Sequence, residues 1–135
     1  MSDTFNMTVI TPERRFFEGK AQYAEVPGYE GDIGIYSSHS PLFSILRPGV
    51  IHIEKSEKEI VEVFVAKGFV EIMPDKVNIL ADYVETVDEI DIERAEKAKQ
   101  RALAKINTKK HDGIESAYAE LQRAEGRLAF ARRSK

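Results

Sequence analysis

Arg123 and Arg127 stand four residues apart, the spacing that places two side chains on one face of a helix. Upstream, Ile90-Asp91-Ile92-Glu93-Arg94-Ala95 reads as the start of an earlier helix. If the two helices pair antiparallel, the start of the first meets the end of the second. Arg94 then converges on Arg123 and Arg127. Three guanidinium groups drawn together repel unless anions balance them, and their planar donor forks suit phosphate. The competing arrangement is local pairing at helical spacing, Asp91 with Arg94 and Glu120 with Arg123, all solvated. Spacing alone leaves both open.

Other chemistry finds less support. Gly28-x-x-Gly31-x-x-Gly34 has neither the dinucleotide-binding spacing nor a following Gly-Lys-Ser/Thr, and no long helix follows it to hold an anion. Tight turns explain these glycines better. The histidines, His39, His52 and His111, lack metal-ligand spacing, and no nucleophile elbow is present. His39, in a turn before Pro41, reads as a hydrogen-bonded turn residue or an interface contact. With no cysteine, disulfides and thiolate metal sites are excluded. Nothing resembles an active site. Nucleic acid is disfavoured too: clustered stacking aromatics are lacking, Glu is mixed among the Lys and Arg of the helices, and the whole chain carries -3.

The elements that must position these groups change character near Glu89. Phe5–Ile10 and Ala21–Val26 read as strands, with Gly19 breaking the apolar run at Phe16-Phe17 and Pro27–Ile35 dominated by turns. Leu42–Leu46 and Val50–Glu54 follow, then a polar hairpin tip at Ser56–Glu59. Ile60–Ala66, Phe69–Met73 and Lys76–Ala81 complete a run of short strands. This pattern predicts an antiparallel sandwich or flattened barrel, with no parallel sheet because no crossover helices intervene. After Val84 the period becomes helical. Thr86…Glu89, Asp88 or Asp91 can cap a first helix carrying Ala95, Ala98, Ala102 and Ile106. A polar break at 107–111 leads to a second helix started by Asp112 and Glu115. There Ile114, Ala117, Leu121, Ala124, Leu128 and Ala131 form a 3-4-3-4-3 seam. Helices of about 16 and about 20 residues, roughly 24–30 Å long, are expected. A seam of mostly Ala buries little area, so the pair is expected to form and also to open.

Charge divides along the same line. Residues 1–89 carry 8 Lys+Arg against 16 Asp+Glu, a net of -8, while residues 90–135 carry 12 against 7, a net of +5, giving the chain's -3. An acidic β-domain over 1–86 followed by a basic helical hairpin over 87–135 is a two-part device. The hairpin can seek a negatively charged partner. No stretch approaches the roughly 20 apolar residues that cross a bilayer, and the N-terminus lacks the pattern of a secretion signal. The expectation is a soluble cytoplasmic protein, held at a membrane only through other chains.

Several runs together resemble the epsilon subunit of bacterial F-type ATP synthases. They are Pro27-Gly-Tyr-Glu-Gly-Asp-Ile-Gly-Ile35, Ser38-His39-Ser40-Pro41-Leu42, Arg47-Pro48-Gly49, Lys67-Gly68-Phe69-Val70-Glu71-Ile72, Pro74-Asp75-Lys76-Val77, Leu80-Ala81-Asp82 and Ile90-Asp91-x-x-Arg94-Ala95. The resemblance runs in order over essentially the whole chain. It implies a sandwich of about ten strands followed by a helix-turn-helix. It further implies a non-catalytic rotor subunit that joins the gamma subunit to the c-ring, at the cytoplasmic face of the bacterial plasma membrane. The hairpin would restrain ATP hydrolysis when extended into the alpha/beta catalytic head. By the same resemblance, Asp32 and His39 are candidates for the interface with the c-ring and gamma. Ile90, Asp91, Arg94, Ala95, Arg123 and Arg127, with Glu85 just upstream, match the positions that hold ATP in relatives. ATP would be a regulatory ligand, with no cofactor required. Two other classes remain as alternatives: a freestanding ATP-binding sensor, which needs no gamma partner, and a hydrolase, which needs turnover by the isolated chain.

Overall fold

A computed structural model describes residues 3–108 and 112–133, so His111 and most of the 107–111 break lie outside the described residues. The chain divides into two compact units, Met1–Glu85 and Thr86–Lys135.

The first unit is built of eight strands: β1 (Phe5–Ile10), β2 (Arg15–Ala21), β3 (Tyr23–Gly28), β4 (Gly31–Ile35), β5 (Leu42–Ile45), β6 (Gly49–Glu54), β7 (Ile60–Ile72) and β8 (Lys76–Glu85). The hydrogen-bonded order is β2-β1-β8-β7-β6-β3-β4, with β5 also on β7. β7 and β8 are long and serve both layers. The first half of β7 pairs with β6 and its second half with β5. β8 follows β7 along its length, but only Lys76–Leu80 pairs with β1. Counting the two halves of β7 and β8 separately gives ten segments, five to a layer, which reconciles eight strands with the ten expected.

The bend between layers is visible in side-chain parity. Along β7, Val63 and Val65 enter the core, then Val70 and Ile72, so the inward face switches from odd to even positions. Along β8 it likewise switches from odd to even, from Val77 and Ile79 to Val84. A change of parity needs a kink, since side chains alternate strictly along a regular strand. Lys67 supplies it with φ 64. Gly68 follows, where the strands approach so closely that a Cβ would lie 2.1 Å from the Leu80 carbonyl oxygen. The core between the layers is wholly apolar, from Phe5, Met7 and Val9 on β1 to Val84 on β8.

Four expectations need correction. Gly19 does not break its strand, because β2 is an edge strand that runs through it opposite Met7. Pro27–Ile35 is mostly β3 and β4, with a turn of only Tyr29-Glu30. Its glycines allow close approach (a Cβ on Gly28 would meet the Gly31 carbonyl oxygen at 2.6 Å) and a φ of 149° at Gly31. Ile60–Ala66 and Phe69–Met73 are one strand, bent rather than interrupted. Finally, β1 and β8 pair in parallel. The crossover between them is the rest of the domain, so no helix was there to announce it.

The second unit begins with a 3-10 turn, Val87–Glu89, where the Thr86 amide donates to Glu89 Oε1 at 2.9 Å. Asp91 then caps α1 (Ile92–Asn107), and α2 (Ile114–Arg133) follows. Of the three caps proposed from sequence, Thr86 with Glu89 serves the 3-10 turn and Asp91 serves α1, while Asp88 lies within the turn. The seam between helices buries Ala95, Ala102, Ala117, Ala124, Leu128 and Ala131, as the spacing predicts, while Ile114 and Leu121 are only half-buried. Phe130, off the predicted stripe, is buried as well.

Candidate functional site

Asp32 lies one residue into β4, directly after the β3–β4 turn, with its side chain half exposed. Arg47 holds it: the guanidinium pairs with the Asp32 carboxylate and donates to the Gly28 carbonyl at 2.5 Å. The Arg47 amide also donates to Pro27 O at 2.9 Å, and the Tyr29 amide to Ile45 O at 2.8 Å. The turn is therefore tied to β5 and the segment after it by backbone and side chain together. Around it opens a cleft lined by Tyr29, Asp32, Ile33, Leu42, Phe43 and Ile45. Tyr29 is 72% exposed, and Phe43 and Ile45 60% each. Monomeric surfaces seldom present such a cluster. His39 is anchored separately, its ring Nδ1 donating to the Ser40 carbonyl at 2.6 Å.

The second candidate site is on the helical unit. Two cross-helix ion pairs set its register, Arg101 with Glu120 at 3.3 Å and Arg132 with Glu96 at 2.8 Å. This antiparallel register places Arg94 at the same end of the hairpin as Arg127, with Arg123 one turn further in. The Asp91 carboxylate accepts the Arg94 backbone amide at 3.0 Å, acting as helix cap, and Glu120 reaches across to Arg101. Ile90 and Ala95 are buried, so they shape the site through packing rather than through polar contact. The 3-10 turn packs against α2 at this end. Glu85 belongs to the sheet unit, where it ends β8 opposite Phe64. A hydrogen bond from Arg132, partly opposed by burial and assisted by Gln100 and Lys99, holds the Glu96 carboxyl below its usual range.

Sequence reasoning missed Arg47, read there only as part of a turn, and the exposed apolar rim. A signal for the rim existed: once Leu46 is assigned inward, alternation turns Ile45 and Phe43 outward on β5. It also missed the partners of His52, which cross-strand register alone brings together. Among the described residues, no cluster of His, Asp and Glu is arranged to hold a metal ion.

Two family models cover the chain. The model described as the ATP synthase Delta/Epsilon chain beta-sandwich domain matches residues 4–87, and that of the long alpha-helix domain matches residues 88–132. The ATP synthase epsilon chain of Shouchella clausii is 42% identical over 129 residues, covering 96% of each chain. That of Halalkalibacterium halodurans is 38% identical over 132 residues, covering 96% of this chain and 98% of its own. Among solved structures, a chain of the Euglena gracilis mitochondrial ATP synthase superposes with a TM-score of 0.85 at 19% identity, over 96% of this chain and 82% of that one. A chain of the Tetrahymena thermophila central stalk and c-ring superposes with a TM-score of 0.62 at 12% identity, over 94% and 96%.

Proposed function

Because the chain belongs to the family of ATP synthase delta/epsilon chains and is an epsilon subunit, we propose that its two units divide the labour of a central-stalk protein. The sheet unit docks on the gamma subunit and the c-ring. The hairpin regulates ATP hydrolysis by reaching the alpha/beta head, with ATP as its ligand. The subunit itself is non-catalytic. No helix among the described residues is long and apolar enough to cross a membrane. In this reading the subunit meets the membrane through the complex, at its cytoplasmic face.

The observation that carries docking is the tied turn with its apolar rim. Arg47 fixes Asp32 while Tyr29, Phe43 and Ile45 stand exposed around it, a rigid polar point inside an apolar ring. Asp32, and His39 in the neighbouring turn, are the interface positions assigned here.

Regulation rests on the helical unit. An Ala seam and two exposed ion pairs hold the helices together. Exposed pairs contribute only about 0–1 kcal/mol each, so small ligand energies matter. ATP phosphates would sit among Arg94, Arg123 and Arg127 and favour the closed pair, with Ile90, Asp91 and Ala95 completing the site. A ligand at ten times its Kd adds about 1.4 kcal/mol to the state that binds it, shifting that equilibrium roughly tenfold.

Mixing the chain with gamma should give a stoichiometric complex by size-exclusion chromatography, which a freestanding sensor would not form. ATP should compact the parent chain in small-angle scattering. The Arg94→Ala/Arg127→Ala variant should bind gamma normally and show no ATP response. An unchanged response would place the nucleotide elsewhere.

A further inference from the structure

The β3–β4 hairpin joins the rest of its sheet through a short seam. β3 pairs with β6 at only three positions, Tyr23 with Glu54, Ala24 with Ile53 and Glu25 with His52, supplemented by the Gln22 amide donating to Glu54 O at 2.8 Å. His52 stands in the last pair of that seam, on the face opposite Ile51 and Ile53. We propose that His52 is a protonation-dependent staple, which holds β3–β4 to the sheet when its ring is an imidazolium and loosens it when the ring is neutral.

The geometry requires the cation. Nδ1 of His52 lies 2.9 Å from Glu62 Oε2 on β7, and Nε2 lies 2.9 Å from Glu54 Oε2 on its own strand. Ionised carboxylate oxygens only accept, so both ring nitrogens must carry hydrogen. A neutral imidazole has one N–H and keeps at most one of these bonds. Its side chain is 27% exposed, so the contacts are partly shielded from water.

The surroundings work the same way. From β3, Glu25 stands opposite His52 in the ladder, its carboxylate accepting the Tyr23 hydroxyl at 3.1 Å. The Tyr23 ring meets His52 edge-on at 6.4 Å and packs against Tyr36 at 4.7 Å. Burial, followed by the Glu25 hydrogen bond, raises the Tyr23 phenol, which therefore stays neutral throughout the histidine range. The titratable ring thus faces Glu25, Glu54 and Glu62, plus the neutral phenol of Tyr23. Burial by itself lowers the His52 midpoint, but the hydrogen bonds to Glu62 and Glu54 outweigh it and the net shift is upward. Losing the proton leaves Glu54 and Glu62 uncompensated beside an uncharged ring; Glu25, the one of the three carboxylates on β3, then faces them with no cation between, and that repulsion falls on the three-pair seam.

The consequence reaches the docking cleft, a last link that rests on the function proposed above. The β3–β4 hairpin carries Tyr29 in its turn and Asp32 on β4, so loosening the seam leaves the cleft wall held only by its ties to Arg47 and Ile45. The staple itself does not depend on the identity of the partner.

NMR of the full chain tests this. The His52 imidazole signal, assigned by its loss in His52→Gln, should titrate above the ordinary midpoint of about 6.5, and Glu62→Gln should lower it. Hydrogen exchange, corrected for intrinsic base catalysis, should show Gln22 losing about tenfold in protection as pH crosses the measured midpoint. The Asn6 amide, bonded to Asp75 O at 3.0 Å at a strand outside this seam, should not change. In Glu62→Gln the Gln22 transition should move with the lowered midpoint. A midpoint at or below about 6.5 in the parent would overturn the proposal. So would Gln22 protection that is independent of pH, or that keeps its parent transition in Glu62→Gln. Gamma binding is scored separately: its failure would strike the docking assignment and leave the staple standing.

Discussion

At the scale of single residues, Lys67 and Gly68 decide whether β7 can serve two layers. Lys67 takes a left-handed backbone conformation, φ 64, which costs an ordinary side chain roughly 1 kcal/mol or more. Beside it, a Cβ on Gly68 would meet the Leu80 carbonyl oxygen at 2.1 Å and Ala81 Cα at 2.6 Å, both backbone atoms. Neither can swing aside as a side-chain end would. Gly68→Ala should therefore lower stability by about 2–4 kcal/mol in urea titration. By contrast, Gly31→Ala meets no neighbour within 4 Å and suffers only from its φ of 149°. A milder loss at Gly68 than at Gly31 would mean that β7 and β8 can part at the bend. In the sequence, the Lys-Gly step looked like an interruption between two strands. The contact that makes it a bend lies on β8, out of reach of local pattern.

Among the elements, the helices were the most legible. Each is long and periodic, and Asp91 caps α1, so α1 and α2 follow their spacing, and most of the predicted Ala stripe is buried. The cross-helix ion pairs were not legible, because Glu120 had a plausible partner at helical spacing and only the antiparallel register gives it to Arg101. Ala102 is fully buried where the helices approach, so Ala102→Leu should weaken the hairpin by about 1–3 kcal/mol through overpacking. Hydrogen exchange should increase along α1 and α2 and stay constant in β1. At the far end, Arg132 holds the Glu96 carboxyl below its ordinary range. A depressed carboxylate adds stability that is fully present above its unfolded midpoint and is lost as pH falls through the folded one. Removing the guanidinium with Arg132→Ala should raise the Glu96 midpoint toward the usual carboxylate range by NMR. Should it stay put, the ion pair is absent in solution.

For the whole molecule, the sandwich was legible as a class but not in its connectivity. Short strands between turn residues announced two β layers. Strand count and neighbours did not follow, since shared strands and the parallel β1–β8 pair depend on partners some 70 positions apart. The core residues all fall between Phe5 and Val84, so a fragment of residues 1–86 should fold alone. It should unfold cooperatively and bind gamma, while losing any ATP response. If it failed to fold, the independence of the two units would be refuted.

The pairing of the first strand with the last also sets a timetable for synthesis. Asn6 meets Lys76, so β1 and β2 wait with an unfilled flank until nearly the entire domain has left the ribosome. Such a long-range closure folds slowly and leaves β1 open to wrong neighbours meanwhile. A nascent chain stalled before β8 emerges should be vulnerable to proteases and hold on to chaperones, and releasing about ten more residues should end both.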